Sequence, residues 1–287
     1  MASALKSRRG HPLALLGFLL VHGAALLVGG TVLGLILYIL ATGLPNLSWE
    51  LFALTWTPQN QSLTPALLAT LLMALLALLM AVPAGVGGAI YLSEYARRGS
   101  RLVGLILLAS DTLQGIPSIV FGLFGYVCFN VALGWGFSLL SGAVTLAIMI
   151  LPLILRATQE ALRAVPDSLR EGSFGLGAGR VRTIFRIVLP GAAPGILAGV
   201  LLSIGRILGE SAALIYTAGS GTGSLSFREG ITAPLFQSAR TLSVHMYCLM
   251  IEGLHLPQAH ATAVVLLILV LGLNALSGLA AKKLIEQ

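Results

Sequence analysis

Residues 190–218 read PGAAPGILAGVLLSIGRILGESAALIYTA, an apolar stretch interrupted by one arginine, Arg206, and one glutamate, Glu210. About 20 mostly apolar residues cross a bilayer as a helix, and this stretch is longer. Small residues recur four apart at Gly191, Gly195, Gly199 and Ser203, a stripe along which a neighbouring helix backbone can come close. Arg206 lies 16 residues beyond Pro190, roughly 24 Å along the helix at about 1.5 Å per residue, in the middle or outer half of the membrane. Glu210 follows at i+4 and shares its face. A charge at such depth costs at least about 2.5–3.5 kcal/mol, so something must offset it. In a structural reading the two side chains neutralise each other and lock the bundle. In a functional reading they line a pathway: the guanidinium fork binds an oxyanion, and Glu210 holds it while the site is empty. Ionisable groups inside membranes mark pathways. Arg206 and Glu210, flanked by Ser203 and Ser211, are therefore the candidate substrate pathway.

The rest of the chain suits the same solvent. Of 287 residues, 57% are apolar and 9% charged, and the mean hydropathy is +0.95. Soluble domains average about 45–50% and 25%, so this charge could not clothe a water-soluble globule. Further apolar runs occur at 13–41, 63–92, 102–128, 137–155 and 261–281, giving an all-α membrane protein of six spans. The first run follows Lys6, Arg8 and Arg9 but far exceeds a cleavable signal core of about 7–15 residues, so it reads as a retained anchor. Residues 129–136 make the third and fourth spans a tight hairpin.

Basic residues orient the spans. Lys6, Arg8 and Arg9 precede the first. Arg97, Arg98 and Arg101 lie in the second loop, Arg156, Arg163, Arg170, Arg180, Arg182 and Arg186 in the fourth, and Lys282 and Lys283 in the tail. Fourteen of the 17 basic residues thus share one side, opposite Arg228 and Arg240, and both termini are expected in the cytoplasm. The net charge of +7 is then mostly topology, and nucleic acid is excluded as a partner. Trp49, Trp56 and Trp135 fall at the outer interface, as an aromatic belt requires.

The long inner loop, 156–189, is patterned. Pro166, Asp167 and Glu171 mark a helix start, while Gly175, Gly177 and Gly179 end it; Leu169, Phe174 and Leu176 supply an apolar side. Glu171, Gly177, Ile187, Leu189 and Pro190 match, at the right offsets, the E-A-A, three residues, G, nine residues, I-x-L-P pattern of ABC-importer permeases, with Gly172 and Ser173 in place of two alanines. The segment resembles their EAA loop, which implies a coupling helix seated on a cytoplasmic ATPase. No lysine here follows a glycine, so the phosphate-binding G-K-[ST] of a nucleotide site is absent. ATP and Mg are expected at the partner ATPase, and no cofactor on this chain.

Residues 205–213, GRILGESAA, resemble the G-R-x-x-G-E-[ST]-A-[AP] signature of phosphate ABC-transporter permeases, and 113–122, LQGIPSIVFG, their L-x-G-[IV]-P-S-I-V-x-G span. Within that family the PstA type is the nearest. The resemblance covers the chain from about Leu63 onward. It implies a MetI-like type I importer core of five helices at 63–287, preceded by a tail at 1–12 and one N-terminal helix with its outer loop at 13–62. It implies a bacterial plasma (inner) membrane location and half of a phosphate pathway. The expected partners are a PstC-type permease, two ATPase subunits and a periplasmic or lipid-anchored phosphate-binding protein. The nearest alternative is a permease for another oxyanion of the sulfate or molybdate class. An integral membrane enzyme would need a nucleophile or metal cluster at depth, and a passive channel would not need the docking loop.

Other polar residues read more plainly. Asp111, Gln114 and Ser118 flank the Gly115–Pro117 break and form either a structural polar patch or part of the pathway. Arg156 and Glu160, at i+4, are expected to pair at the inner interface. Cys128 and Cys248 match no metal spacing, and no metal is expected. Residues 219–223, GSGTG, read as a flexible outer loop, and His245, His255 and His260 as solvated or interfacial.

Overall fold

The computed structural model describes residues 12–97, 99–222 and 232–285. Lys6, Arg8, Arg9, Arg98, Gly223 and Arg228 lie outside the described residues, as do the side chains of Lys282 and Lys283. Among the described residues every regular element is helical: α1 (Pro12–Gly43), α2 (Thr64–Ile90), α3 (Arg101–Gly115), α4 (Ser118–Gly125), α5 (Leu139–Ala164), α6 (Asp167–Gly175), α7 (Arg180–Thr183), α8 (Leu189–Gly209), α9 (Ala212–Thr217), α10 (Leu242–Glu252) and α11 (Leu256–Ile285), with short one-turn pieces between. Among the described residues, five helical stretches are long and apolar enough to cross a membrane: Leu16–Asn46, Thr64–Tyr95, Leu139–Ala164, Arg180–Gly209 and Leu256–Ala275. A bent pair, α3 with α4 and its continuation to Ala132, makes a sixth candidate.

Two expected spans differ in shape. The run 102–128 is not one straight helix; it bends by 104° between Gly115 and Ser118. Pro117 has no N–H to donate and pushes the residue before it out of the helical region, and Ile116 is extended at φ −73°, ψ 132°. The fifth span is displaced along the sequence. Helical turns run unbroken from Arg180 through α7 and α8 and stop at Gly209, where Glu210 turns extended at φ −76°, ψ 123°. Residues 212–217 form the separate α9.

The core lies between α2 and α5. Met73, Ala77 and Ala81 meet Leu146, Met149, Ile150 and Ile154, all nearly or fully buried. Small residues on α2 allow this approach: a Cβ on Gly85 would lie 2.8 Å from the Ile154 side chain. The glycine stripe of α8 faces α5. Gly191 lies under Val165, Gly195 under Ala161 and Gly199 under Ala157, and Ser203 ends the row, fully buried, donating to the Gly199 carbonyl at 2.9 Å.

Beyond the far end of α8, α4 and α9 cross each other closely. A Cβ on Gly122 would sit 2.8 Å from the Ala213 Cα. Asn130, buried in the wide turn after α4, donates to the carbonyls of Tyr216 (3.3 Å) and Thr217 (3.1 Å) and accepts from Ser141. Helix α1 packs through its C-terminal end, where Gly43 abuts the His260 backbone of α11. Its flank from Leu16 to Leu37 is exposed and apolar, a surface suited to lipid.

Candidate functional site

The break between α8 and α9 gathers the outer polar residues. Glu210 is 8% exposed. Its Oε1 accepts from the Ala213 backbone N–H at 3.1 Å, and its carbonyl accepts from Ser243 Oγ at 2.6 Å. A carboxylate at the start of α9 satisfies an N–H that the helix leaves orphaned. Glu210 therefore acts as the cap that lets the chain leave α8 and restart as α9.

That role corrects the expected Arg206–Glu210 pair: no ion pair joins them. The i+4 geometry requires helix through Glu210, and the helix ends one residue earlier. Arg206 is left half-buried in the last turn of α8, with no hydrogen bond or ion pair to any described residue. Measured along the helix from Arg186, it stands 20 residues, or about 30 Å, from the inner basic cluster. A guanidinium carries five donors and a permanent charge, so this one presents a cation unmatched among the described residues in the last turn of an apolar helix. Ser211, also half-buried, flanks the break.

Deeper in, Asp111 on α3 pairs with Arg156 on α5, and Arg156 Nη2 also donates to the Leu107 carbonyl at 3.4 Å. The expected Arg156–Glu160 pair does not form: Glu160 is exposed, and Arg156 reaches across to α3 instead. Gln114 and Ser118 are half-buried on either side of the bend.

The opposite end of the bundle, where the 156–189 loop lies, carries a second centre. Arg170 on α6 donates to Glu94 Oε1 (2.8 Å), to Asp167 Oδ1 (3.1 Å) and to the Leu162 and Val165 carbonyls (both 2.8 Å). One side chain thus ties α6 to the ends of α2 and α5. Its cleft, of about 910 Å³, is lined also by Arg97, Arg101, Arg163 and Arg180. Helix α6 ends as its glycines predict: Gly177 adopts φ +82°, a left-handed turn costly to residues with a Cβ. Ser173 and Thr183 hydroxyls lie 2.8 Å apart and join α6 to α7. Leu169, Phe174 and Leu176 are 49%, 47% and 90% exposed. Glu171 falls on α6, Ile187 in the turn before α8, and Leu189 and Pro190 in the first turn of α8.

Residues 81–286 match the family described as binding-protein-dependent transport system inner membrane component. The chain belongs to this family. It is an ABC importer permease of the MetI-like type, an inner-membrane transport component. It is 34% identical over 247 residues to a probable ABC transporter permease protein, YqgI, of Bacillus subtilis, covering 83% of each chain. It is 36% identical over 182 residues to the phosphate transport system permease protein PstA of Xylella fastidiosa, 63% of each chain. To PstA 1 of Mycobacterium tuberculosis (strain CDC 1551 / Oshkosh) it is 43% identical over 154 residues, 54% of this chain and 50% of that one. Solved structures share the fold. A chain of a bacterial alginate ABC transporter, in complex with an alginate pentasaccharide-bound periplasmic protein, superposes with a TM-score of 0.66 at 19% identity over 98% of both chains. A chain of the inward-facing MetNI methionine ABC transporter does so at 0.57 and 20% identity, over 77% of this permease and 93% of that chain.

Sequence reasoning missed two residues of the permease. Asn130 falls in the stretch 129–136, which in sequence reads only as a hairpin turn. His245, expected at a wet surface, is 1% exposed; burial first, and then the Arg240 cation, lower its pKa from 6.5 to about 4. The spacing Arg240-x₄-His245, bracketing hydroxyl residues beside a glycine-rich loop, was the available signal. That loop is also less free than expected, because Gly221 N–H donates to Ser238 Oγ at 3.2 Å and Arg240 N–H to the Gly221 carbonyl at 3.1 Å.

Proposed function

We propose that this permease forms half of the membrane pathway of an ATP-driven phosphate importer, with Arg206 as the residue that meets the anion. The carrying observation is the guanidinium of Arg206, without a partner among the described residues, at the end of α8 and inside the signature 205–213, with Glu210 engaged elsewhere as a helix cap. A bare Arg fork in a low-dielectric site favours a doubly charged oxyanion. The relatives named as phosphate permeases support the choice of anion. One arginine leaves residual negative charge, so the second half of the site belongs to a PstC-type permease.

Energy enters through a separate ATPase, where ATP and Mg bind. The exposed apolar side chains of α6 suit a partner groove better than water, and α6 is the coupling helix of the 156–189 loop. Two ATPase subunits and an external phosphate-binding protein complete the assembly, with both termini of this permease cytoplasmic. In this scheme the N-terminal helix and its loop, 13–62, precede the permease core at 63–287.

The test is Arg206→Gln in the purified complex, reconstituted in vesicles. Losing one charge-assisted hydrogen bond of roughly 1.5–3 kcal/mol predicts phosphate uptake lower by about 10- to 100-fold, with assembly intact. Wild-type uptake by this variant rejects the role of Arg206. Import of sulfate or molybdate in preference to phosphate by the unmodified complex rejects the choice of anion.

A further inference from the structure

Glu210 caps the start of α9, and the far end of this six-residue helix, roughly 9 Å from its start, opens on a cleft of about 510 Å³. Trp56, Ser220, Thr222, Ser238 and Arg240 line it. Arg240 is held rather than loose. Its Nε donates to the Ser220 carbonyl at 3.1 Å and its Nη1 to His245 Nδ1 at 3.3 Å. Five guanidinium donors less these two leave three with no acceptor among the described residues.

No described carboxylate lies within ion-pair distance of Arg240. Its imidazole neighbour stays neutral at ordinary pH, because burial and Arg240 itself oppose protonation. It therefore accepts a hydrogen bond without supplying counter-charge or repelling an anion. The hydroxyls of Ser220 and Thr222 make no hydrogen bond to a described residue, whereas Ser238 is committed to the Ala218 carbonyl and to Gly221 N–H. A fixed fork with no counter-charge among the described residues, beside two hydroxyls with no described partner, has the chemistry of an oxyanion receptor. Nothing in the pathway around Arg206 uses it.

We propose that this cleft is a reception site for a tetrahedral oxyanion at the outer face of the permease, with Arg240 as its binding residue, filled before the anion reaches Arg206. This rests on the phosphate-importer reading and adds an outer station to it. The two arginines lie beyond opposite ends of α9. An ion released from the external binding protein would therefore pass from one cation to the other over a short path, without crossing apolar surface bare.

The experiment uses the complete complex in vesicles, with inorganic phosphate carried on its binding protein. Arg240→Gln lowers uptake by about tenfold, and Arg240→Lys, which keeps the charge but loses the fork, recovers part of it. Thr222→Glu leaves Arg240 in place and adds a carboxylate to the cleft, so it lowers uptake too, whatever the fate of Arg240→Gln in folding. The affinity of the loaded binding protein for each variant complex, measured separately, stays at the unmodified value. Unchanged uptake in Thr222→Glu overturns the proposal. So does a loss of binding-protein affinity in proportion to uptake, which would make Arg240 the partner of a carboxylate on that protein. If the unmodified complex imports a different oxyanion, the phosphate reading fails, and the same variants scored on that anion still decide the role of Arg240.

Discussion

Gly195→Ala tests the seam that carries Arg206 past the core. A Cβ at residue 195 would lie 2.6 Å from Ala161 Cβ and 3.4 Å from Ala161 Cα. Methyl groups in contact sit about 3.5–4.0 Å apart, so the seam must open by ~1 Å. Neither atom belongs to a flexible side-chain end, and both helices are pinned by the neighbouring contacts at Gly191 and Gly199. Overpacking of this kind costs about 1–3 kcal/mol. The better helix propensity of alanine returns at most about 1 kcal/mol; from the middle of the overpacking range, about 2 kcal/mol, the net loss is about 1 kcal/mol. By the usual scaling for large domains, the apparent midpoint of thermal unfolding should fall by about 2–4 °C. The assay is thermal unfolding of the detergent-solubilised complex for Gly195→Ala, Ala161→Gly and the double variant. Removing the Ala161 methyl makes room for the new one, so the double variant should be more stable than the sum of the two single losses predicts, by about 1 kcal/mol. Simple additivity, or a Gly195→Ala complex as stable as the unmodified one, would refute the α5–α8 packing described here.

Three further outcomes follow from the inner and outer clusters. Glu94→Gln leaves the Arg170 guanidinium, 15% exposed, without its main carboxylate; with Asp167 and two carbonyls retained, the loss should be about 1.5–3 kcal/mol, read as more ATP hydrolysed per phosphate imported. Gly177→Pro forbids the observed φ of +82° and removes the N–H that meets the Phe174 carbonyl at 2.9 Å, so ATP hydrolysis should persist while uptake is lost; Gly177→Ala, which meets no neighbouring atom, should be milder. His245 binds its proton near pH 4 when folded and near 6.5 when unfolded. Its neutral form therefore contributes stability above pH 6.5 that is lost as pH falls toward 4, by up to about 1.4 kcal/mol per pH unit. His245→Gln should flatten this acid-side slope in thermal unfolding measured from pH 7.5 to 5, and an unchanged slope would exclude His245 as its source.

The features legible in the sequence were those set by local chemistry. Apolar length marked the spans, a four-residue spacing of small residues marked the face of α8, and Gly177 marked the end of α6. What stayed hidden depends on partners distant in sequence. No proline or glycine pair signals that α8 stops at Gly209. The stop exists because Ser243, 33 residues on, takes the Glu210 carbonyl, while Ala213 takes its carboxylate. The expected i+4 pairs failed for the same reason. Arg156 found Asp111 on another helix, and Glu210 found a helix end that did not exist until the chain broke. Pro117 did announce its break, but the 104° angle comes from α4 packing under α9, where Gly122 admits the Ala213 backbone.

The continuity from Arg180 to Gly209 has a mechanical meaning that two separate elements would not have. A 30-residue helix is about 45 Å long, and its hydrogen bonds run from the turn beside α6 to the turn holding Arg206. Ser173 and Thr183 fasten α6 to its inner end, while Arg170 fastens α6 to α2 and α5. A displacement of α6 therefore cannot be absorbed in the loop, because both of its exits are bonded to long helices. At the far end the break itself is lightly held: residues 209–211 are fixed by one side-chain bond from Ser243 and one cap to Ala213, each worth about 1–3 kcal/mol, while α9 beyond them is packed against α4 and tied to Asn130. A displacement transmitted along α8 would thus meet its weakest point at the turn around Glu210, between two packed helices and beside Arg206. The break is where an inner push would first alter the outer site, and the absence of an Arg206–Glu210 bond means that no ion pair need be broken to do it.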